Sequence, residues 1–504
     1  MSSVFISPDN SKSEKAKSDL SSRNRCIVPV ADNEGGNGRR WLGARWSAIR
    51  HSGAFLLVPN AAFLLARSLL FGVPRGWINV DYVLAGLIAL IAPPWVGVSA
   101  LIGFCMLEVL VTSSALFYFT WPDWYLVAHY AFQLPMARVL EQIAVVFVAG
   151  AVVCTCVWKL KGSVTKGKRR EAAAVLLAMM LLLSFTRLPG AVTGVKHSDA
   201  YTGDRFAFSG MARLLNAMRA SSDANAPVKP VGSSAVTVSD IMANAMAHHR
   251  NVVLILVESY GRSQDAAVAR ETMAPLMTPA VMARYEVTNG TVPFKGPTVS
   301  AELRELCGIA GGVGTTLGAS RFADQCMPKI LKAGGYTATA YHGFYSNMFA
   351  RNRWYRELAF DRLVFLDNLG PVRTCGSLFR GACDLEMAKM VEADLVKATS
   401  PQFSYWLTLS SHQPIEVSSE TTTELGCGGI SDSAKTTECV WAKLIRKANE
   451  SIAHIATAKG LAPTEFVIVG DHAPPFITKQ LRNEFSQNEV PYVHLVPKDS
   501  LQKN

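Results

Sequence analysis

Apolar residues in this 504-residue chain crowd between about residues 52 and 190, while residues 195–504 have the mixed make-up of an ordinary globular domain. That asymmetry constrains the fold more than any single motif, because it calls for a helical membrane part followed by one large folded domain. Only 18% of the residues are charged, against about 25% in a typical soluble protein. The formal net charge of +11 does not point to nucleic acid. Many of the Lys and Arg residues flank the apolar segments, where they orient helices and meet anionic headgroups. The sequence has no zinc finger, RNP-like run or basic recognition helix.

Residues 1–50 are polar and lack the early apolar stretch of a cleavable signal peptide, so they are expected to stay as a cytoplasmic tail. Residues 51–190 are read as the transmembrane domain. Its first apolar segment runs from Ala54 to Val73, interrupted by Arg67. The stretch from Tyr82 to Phe119 is long enough for two helices hinged at Pro93-Pro94. Further segments cover Val139 to Trp158 and Ala172 to Leu188, giving about five helices.

Arg39, Arg40, Arg45 and Arg50 precede the first segment, and Lys159, Lys161, Lys166, Lys168, Arg169 and Arg170 lie between the last two. The positive-inside rule puts both clusters in the cytoplasm. An odd number of crossings then places everything after about residue 190 outside, with Trp121, Trp124 and Tyr125 in an outer aromatic belt. These readings predict a membrane protein with several crossings whose folded domain lies outside the cytoplasm.

Six of the ten cysteines (Cys307, Cys326, Cys375, Cys383, Cys427, Cys439) fall in that external part. An oxidising compartment favours disulfides, and sequence-local pairing gives Cys307–Cys326, Cys375–Cys383 and Cys427–Cys439. Residues 191–250 read as a linker containing an amphipathic helix from Ala207 to Arg219, lying either on the membrane or on the domain. From residue 251 to 504 the pattern is α/β. Asn251 to Val257 (NVVLILV), Tyr336 to Tyr341, Phe403 to Leu409 and Glu465 to Val469 are apolar runs of the kind buried on both faces of a sheet. Helical stretches between them, Pro328 to Ala333 and Asp384 to Ala398 included, predict a largely parallel sheet covered on both sides.

In such sheets ligands gather beyond the carboxyl ends of the strands. There the first run leads into Glu258 and the last into Gly470-Asp471-His472. Two carboxylates and an imidazole suit a hard or borderline divalent cation. Alone, an Asp-His pair is more often a turn or a helix cap; three such residues at strand ends are a stronger signal.

Five segments, NVVLILVES, GPTVSAELRELCG, AYHGFYSNMFARNRWY, LTLSSHQP and VIVGDH, resemble in order the motifs of the lipoteichoic acid synthases. Those enzymes are membrane-anchored members of the alkaline phosphatase and sulfatase superfamily. The resemblance covers about residues 250–476, and TVSAELRELCGI also resembles the nucleophile segment of phosphoglycerol transferases that modify periplasmic glucans. It implies a sulfatase-like fold for the external domain and one divalent ion, Mn2+ or Zn2+, held by Glu258, Thr298, Asp471 and His472. Thr298 matches the nucleophile. His342, Arg351 and His412 match residues lining the phosphoglycerol site, with His342 or His412 moving protons. Glu302 keeps the family's spacing from Thr298 and is expected among the substrate contacts. Phe349 stands where the synthases have Trp, retaining an apolar wall without the indole N–H.

The implied activity is transfer of a phosphoglycerol group from phosphatidylglycerol, through a phospho-threonine, to an extracytoplasmic glycan or lipid-linked acceptor. The alternative is phosphoethanolamine transfer from phosphatidylethanolamine. Sulfate ester hydrolysis fits less well, since Thr298-Val299-Ser300-Ala301-Glu302 is not the C/S-x-P-x-R segment of sulfatases. A non-catalytic envelope-binding role is the reading from another class. Among neighbouring residues, Ser300 is the competing nucleophile, His248 and His249 read as structural or exposed, and Trp354 and Tyr355 read as packing residues.

Overall fold

The computed structural model describes residues 57–65, 77–118, 169–185, 207–212 and 238–498, together with positions 151, 155, 215, 229–231 and 234–235. The continuous apolar runs become the middle of a seven-stranded sheet. Its strands are β1 (Asn251–Val257), β2 (Tyr285–Pro293), β3 (Thr337–His342), β4 (Arg362–Phe365), β5 (Gln402–Leu407), β6 (Thr464–Gly470) and β7 (Glu489–Pro497). The order across the sheet is β2-β7-β6-β1-β5-β3-β4. Every residue of β1 and β6 is buried, as strands covered on both faces require.

The sheet is only partly parallel. β6, β1, β5, β3 and β4 run parallel, whereas β7 pairs antiparallel with β6, and β2 antiparallel with β7. β7 alternates between buried and accessible positions and β2 is accessible along most of its length, so neither presents the unbroken apolar run that marks the central strands.

Among the described residues ahead of the domain are the helices α1 (Asp81–Ile91), α2 (Pro94–Phe117) and α3 (Arg169–Phe185). Within the domain follow α4 (Val238–His248), α5 (Ala266–Met273), α6 (Thr298–Cys307), α7 (Met327–Ala333), α8 (Arg351–Glu357), α9 (Asp384–Lys397) and α10 (Ser433–Thr457). Two groups stand out: α4, α6 and α7 pack on one another, and α5 and α9 each pack on α10. The two expected helices correspond to α7 and α9; α10, of 25 residues, was not anticipated.

Ahead of the domain, the predicted hinge at Pro93-Pro94 separates α1 from α2. With 11 residues, α1 is roughly 16 Å long, well short of a ~30 Å hydrocarbon core. Counting the described side chains, no helix is long and apolar enough to cross a membrane. Most of the segments at 54–73 and 139–158, the tail at 1–50 and the aromatic belt lie outside the described residues. The expected helix from Ala207 is corrected at its start. Ala207 and Phe208 form a short strand parallel to Ile78–Asn79, helix begins only at Gly210, and most of the remainder is outside the described residues.

A buried polar network joins these pieces. Asn79 donates its amide to Asn60 Oδ1 at 2.7 Å and its side-chain nitrogen to Glu108 Oε2 at 2.6 Å. Asp81 accepts from the Ser209 hydroxyl at 2.5 Å and the Met211 amide at 3.0 Å. Polar groups removed from water need such partners, so the network fixes how residues 60, 79–81, 108 and 209–211 meet.

The three disulfides are those expected from sequence proximity: Cys307–Cys326, Cys375–Cys383 and Cys427–Cys439. Denatured but unreduced protein should therefore leave these six cysteines unreactive towards iodoacetamide, and expose them after reduction. Replacing Cys307 and Cys326 by serine should lower stability by about 3 kcal/mol, measured as a shift in the denaturation midpoint.

Candidate metal centre and nucleophile

Four adjacent parallel strands, β6, β1, β5 and β3, deliver their carboxyl ends to one edge. Gly470 is in register with Val257, so Asp471 and Glu258, the next residues on each strand, emerge side by side. The approach is close enough that a Cβ on Gly470 would lie 2.0 Å from the Tyr260 carbonyl oxygen, which is why glycine stands there. After Glu258 the chain turns sharply through Ser259, whose φ of 55 is unusual for a side-chain-bearing residue. Several bonds hold that turn. Ser259 donates its amide to Asp471 Oδ1 at 2.7 Å and its hydroxyl to Glu258 Oε1 at 3.0 Å. The Glu258 amide donates to Thr408 Oγ1 at 2.9 Å, the Ser411 hydroxyl donates to the Glu258 carbonyl at 2.5 Å, and Trp441 Nε1 donates to the Ser259 carbonyl at 2.9 Å.

Glu258, Asp471 and His472, all buried, present ligand atoms within 4.8 Å of one another. Donors placed about 2.0–2.2 Å from a common cation would be separated by about this much or less. Asp471 Oδ1 accepts the amides of Ser259 and His472, whereas its Oδ2 is buried with no hydrogen bond among the described residues. His472 Nδ1 lies 2.9 Å from the Ala473 carbonyl, an acceptor, so Nδ1 carries the hydrogen and the Nε2 lone pair faces the carboxylates. That Nε2 is 3.2 Å from Asp471 Oδ2 and 3.7 Å from Glu258 Oε1. Burial, reinforced by the neighbouring Asp471 carboxylate, pushes Glu258 well above the ordinary carboxylate range. An orphaned buried oxygen, an imidazole lone pair and a carboxyl reluctant to ionise form a donor set that a divalent cation would satisfy. Mn2+ and Zn2+ both suit it.

Thr298 sits at the first position of α6, directly after Pro297 and Gly296, the latter with φ +84. Its Oγ1 is 3.2 Å from Glu258 Oε2 and 3.3 Å from His472 Nε2. The hydroxyl is thus at the cation site and at the positive end of a ten-residue helix, where developing negative charge is favoured.

The expected role of Glu302 needs correction. It is fully enclosed rather than open to a substrate. Arg351 Nε lies 3.2 Å from both of its oxygens and Nη2 2.9 Å from Oε2, and the hydroxyls of Tyr355 and Tyr405 also donate to it. Burial, followed by the Glu302 charge, raises both tyrosines well above their usual range, so they remain protonated donors. Tyr355 is therefore more than the packing residue the sequence implied. The clamp occupies Nε and Nη2 of Arg351, while Nη1 has no hydrogen bond to a described residue. Phe349 lies against this group, with the guanidinium carbon 5.3 Å from its ring centroid. Phe349 and Ala350 both have φ 54, a left-handed pair that turns the chain into α8.

His342 and His412 lie at the same edge. His342 Nδ1 is 3.0 Å from the Leu407 carbonyl. His412 Nδ1 is 2.7 Å from the Gln413 carbonyl, its ring centroid is 3.9 Å from that of Phe379, and its Nε2 is 4.0 Å from Glu258 Oε1. Burial lowers His342 well below the usual imidazole range, and lowers His412 to about 3. Both are therefore neutral at pH 7. Ser259, Thr408 and Ser411, which hold the Glu258 turn, carried no distinct sequence signal beyond standing next to strand ends.

The family model described as Sulfatase matches residues 250–504. No curated protein matches the chain in sequence. Among solved structures, a Vibrio parahaemolyticus protein of the alkaline phosphatase superfamily is similar at 17% identity and a TM-score of 0.34, covering 54% of this chain and 63% of that one. The chain thus spans less than two thirds of that relative's length. The lipoteichoic acid synthase LtaP from Listeria monocytogenes is similar at 15% identity and a TM-score of 0.38, covering 52% and 71%. The phosphoglycerol transferase GacH from Streptococcus pyogenes, solved with sn-glycerol-1-phosphate, is similar at 17% identity and a TM-score of 0.34, covering 53% and 77%.

Two outcomes follow from the geometry. Asp471→Asn, nearly unchanged in shape, should abolish tight binding of Mn2+ or Zn2+ in equilibrium dialysis of the purified protein. Glu302→Gln leaves the Arg351 charge buried without its partner and should destabilise the fold by about 3–5 kcal/mol, read as a fall in the denaturation midpoint.

Proposed function

The chain belongs to the sulfatase family, and on that premise we propose that it transfers a phosphoglycerol group from phosphatidylglycerol, through phospho-Thr298, to an extracytoplasmic glycan or lipid-linked acceptor. The observation that carries this reading is the position of Thr298 Oγ1, within hydrogen-bonding distance of both Glu258 and His472 at the cation site. The nucleophile position holds threonine, outside any C/S-x-P-x-R segment, which favours phosphoryl transfer over sulfate ester hydrolysis. Paired cysteines throughout the domain favour an oxidising compartment. With the apolar segments before residue 190, they support a multi-pass protein of the inner membrane whose catalytic domain faces the periplasm.

A divalent cation held by Glu258, Asp471 and His472 would supply Lewis acidity, lowering the hydroxyl pKa and offsetting phosphate charge. Thr298 Oγ attacks phosphorus; the Oγ–P bond forms, the P–O bond to diacylglycerol breaks, and the departing oxygen takes up a proton. Arg351, fixed by Glu302, places its free nitrogen and its charge on the non-bridging oxygens. His412, neutral at rest, first accepts a proton at Nε2 and then donates it, which fits a relay from nucleophile to leaving group. In the second half-reaction an acceptor hydroxyl attacks phosphorus, and Thr298 Oγ departs and regains its hydrogen. His342 and Phe349 line the headgroup side.

Incubated with labelled phosphatidylglycerol and Mn2+ or Zn2+, the purified protein should release diacylglycerol, and Thr298→Ala should reduce release to background. Intact mass should show a glycerophosphoryl adduct on Thr298. Release from phosphatidylethanolamine alone would reassign the donor. No turnover of either lipid, with an envelope phenotype unaltered by Thr298→Ala, would favour a binding role.

A further inference from the structure

The residue after α2, Tyr118, adopts φ 61 and ψ 13, a left-handed conformation uncommon for side-chain-bearing residues, and tertiary contacts support it there. Three such contacts are present. Its hydroxyl lies 3.2 Å from Gln487 Oε1, at the turn leading into β7. Its ring meets Phe294 edge-on, with centroids 5.4 Å apart and planes at 88°, four residues before Thr298. The ring also lies 5.4 Å from the imidazole of His472, tilted by 41°.

The last contact bears on the chemistry. His472 is secured at Nδ1 by one hydrogen bond to the Ala473 carbonyl. Beyond that bond and the Thr298 hydroxyl 3.3 Å from Nε2, rotation about the Cβ–Cγ axis would carry Nε2 away from Glu258 and Asp471. A flat aromatic surface beside the imidazole restricts that rotation. We propose that Tyr118 is a positioning residue for His472: the end of α2 holds the imidazole with Nε2 aimed at the cation site, so that the seating of the N-terminal helices and the affinity of the centre for its cation are linked. This rests on the reading of Glu258, Asp471 and His472 as cation ligands. Linkage of this kind is reciprocal, so cation binding in turn favours the seated position of α2.

The test uses the full-length protein in detergent, stripped with a chelator and titrated with Zn2+, and with Co2+ as an optical probe. Partners that orient a ligating histidine are worth about 10–100-fold in metal affinity, so Tyr118→Ala should weaken Zn2+ by that factor and alter the visible spectrum of bound Co2+. Tyr118→Phe keeps the ring and loses only the Gln487 bond, and should match the parent in both. Should the alanine variant fail to fold, Tyr118→Leu decides, since it keeps apolar bulk without the flat surface; it too should bind Zn2+ about ten-fold more weakly. A merely structural role would lower the unfolding midpoint of these variants and leave Zn2+ affinity and the Co2+ spectrum of the folded protein unchanged, which would overturn the proposal. A parent protein that takes up no cation would instead refute the cation-ligand reading, an outcome separable from a failure of Tyr118 alone.

Discussion

The structure depends on placing two carboxylates, Glu258 and Asp471, side by side at the buried ends of neighbouring central strands. Without compensation, such a pair is costly, because burial removes the water that would screen like charges. The surroundings supply part of that compensation. Backbone amides cover Asp471 Oδ1, and hydroxyls from Ser259 and Thr298 reach Glu258. What remains, an unsatisfied Asp471 oxygen and an imidazole lone pair facing it, defines the demand for a cation. Local details then follow from that demand: the absent side chain at Gly470, the left-handed turn at Ser259, and a helix beginning at Thr298.

A second ion pair plays a different part. Glu302 lies one helical turn after Thr298 on α6, and its carboxylate gathers Arg351, Tyr355 and Tyr405. Pairs buried this deeply contribute little net stability, since desolvation offsets their attraction. Their value is geometric. A planar guanidinium bound along one side can point in only one direction, so Arg351 is held in a single orientation. Thr298, at the cation site, and Glu302, which orients Arg351, thus belong to the same helix.

The N-terminal helices add a third level of organisation. Asn60, Asn79, Asp81, Glu108 and Ser209 bring together segments far apart in sequence through buried hydrogen bonds. Because α2 ends on Tyr118 and Tyr118 lies against His472, this helical part shares a boundary with the candidate cation centre.

The sequence by itself determined the central strands and the candidate ligands, because strands buried on both faces need unbroken apolar runs, and polar residues at their ends are then conspicuous. Glu258, Asp471 and His472 were legible for that reason, and the disulfides from the short reach between their cysteines. The roles of Thr298, Arg351 and the two histidines came from ordered resemblance, since nothing local distinguishes them from other hydroxyls, arginines and imidazoles. Only the tertiary structure decided that β7 and β2 run antiparallel at one edge, that Glu302 is a clamp rather than a substrate contact, and that Tyr118 reaches the centre. Periodicity records whether a face is buried, but not what buries it. Strand order, ion-pair partners and a ring pressed against a distant imidazole are properties of pairs far apart in the chain, and no local pattern encodes them.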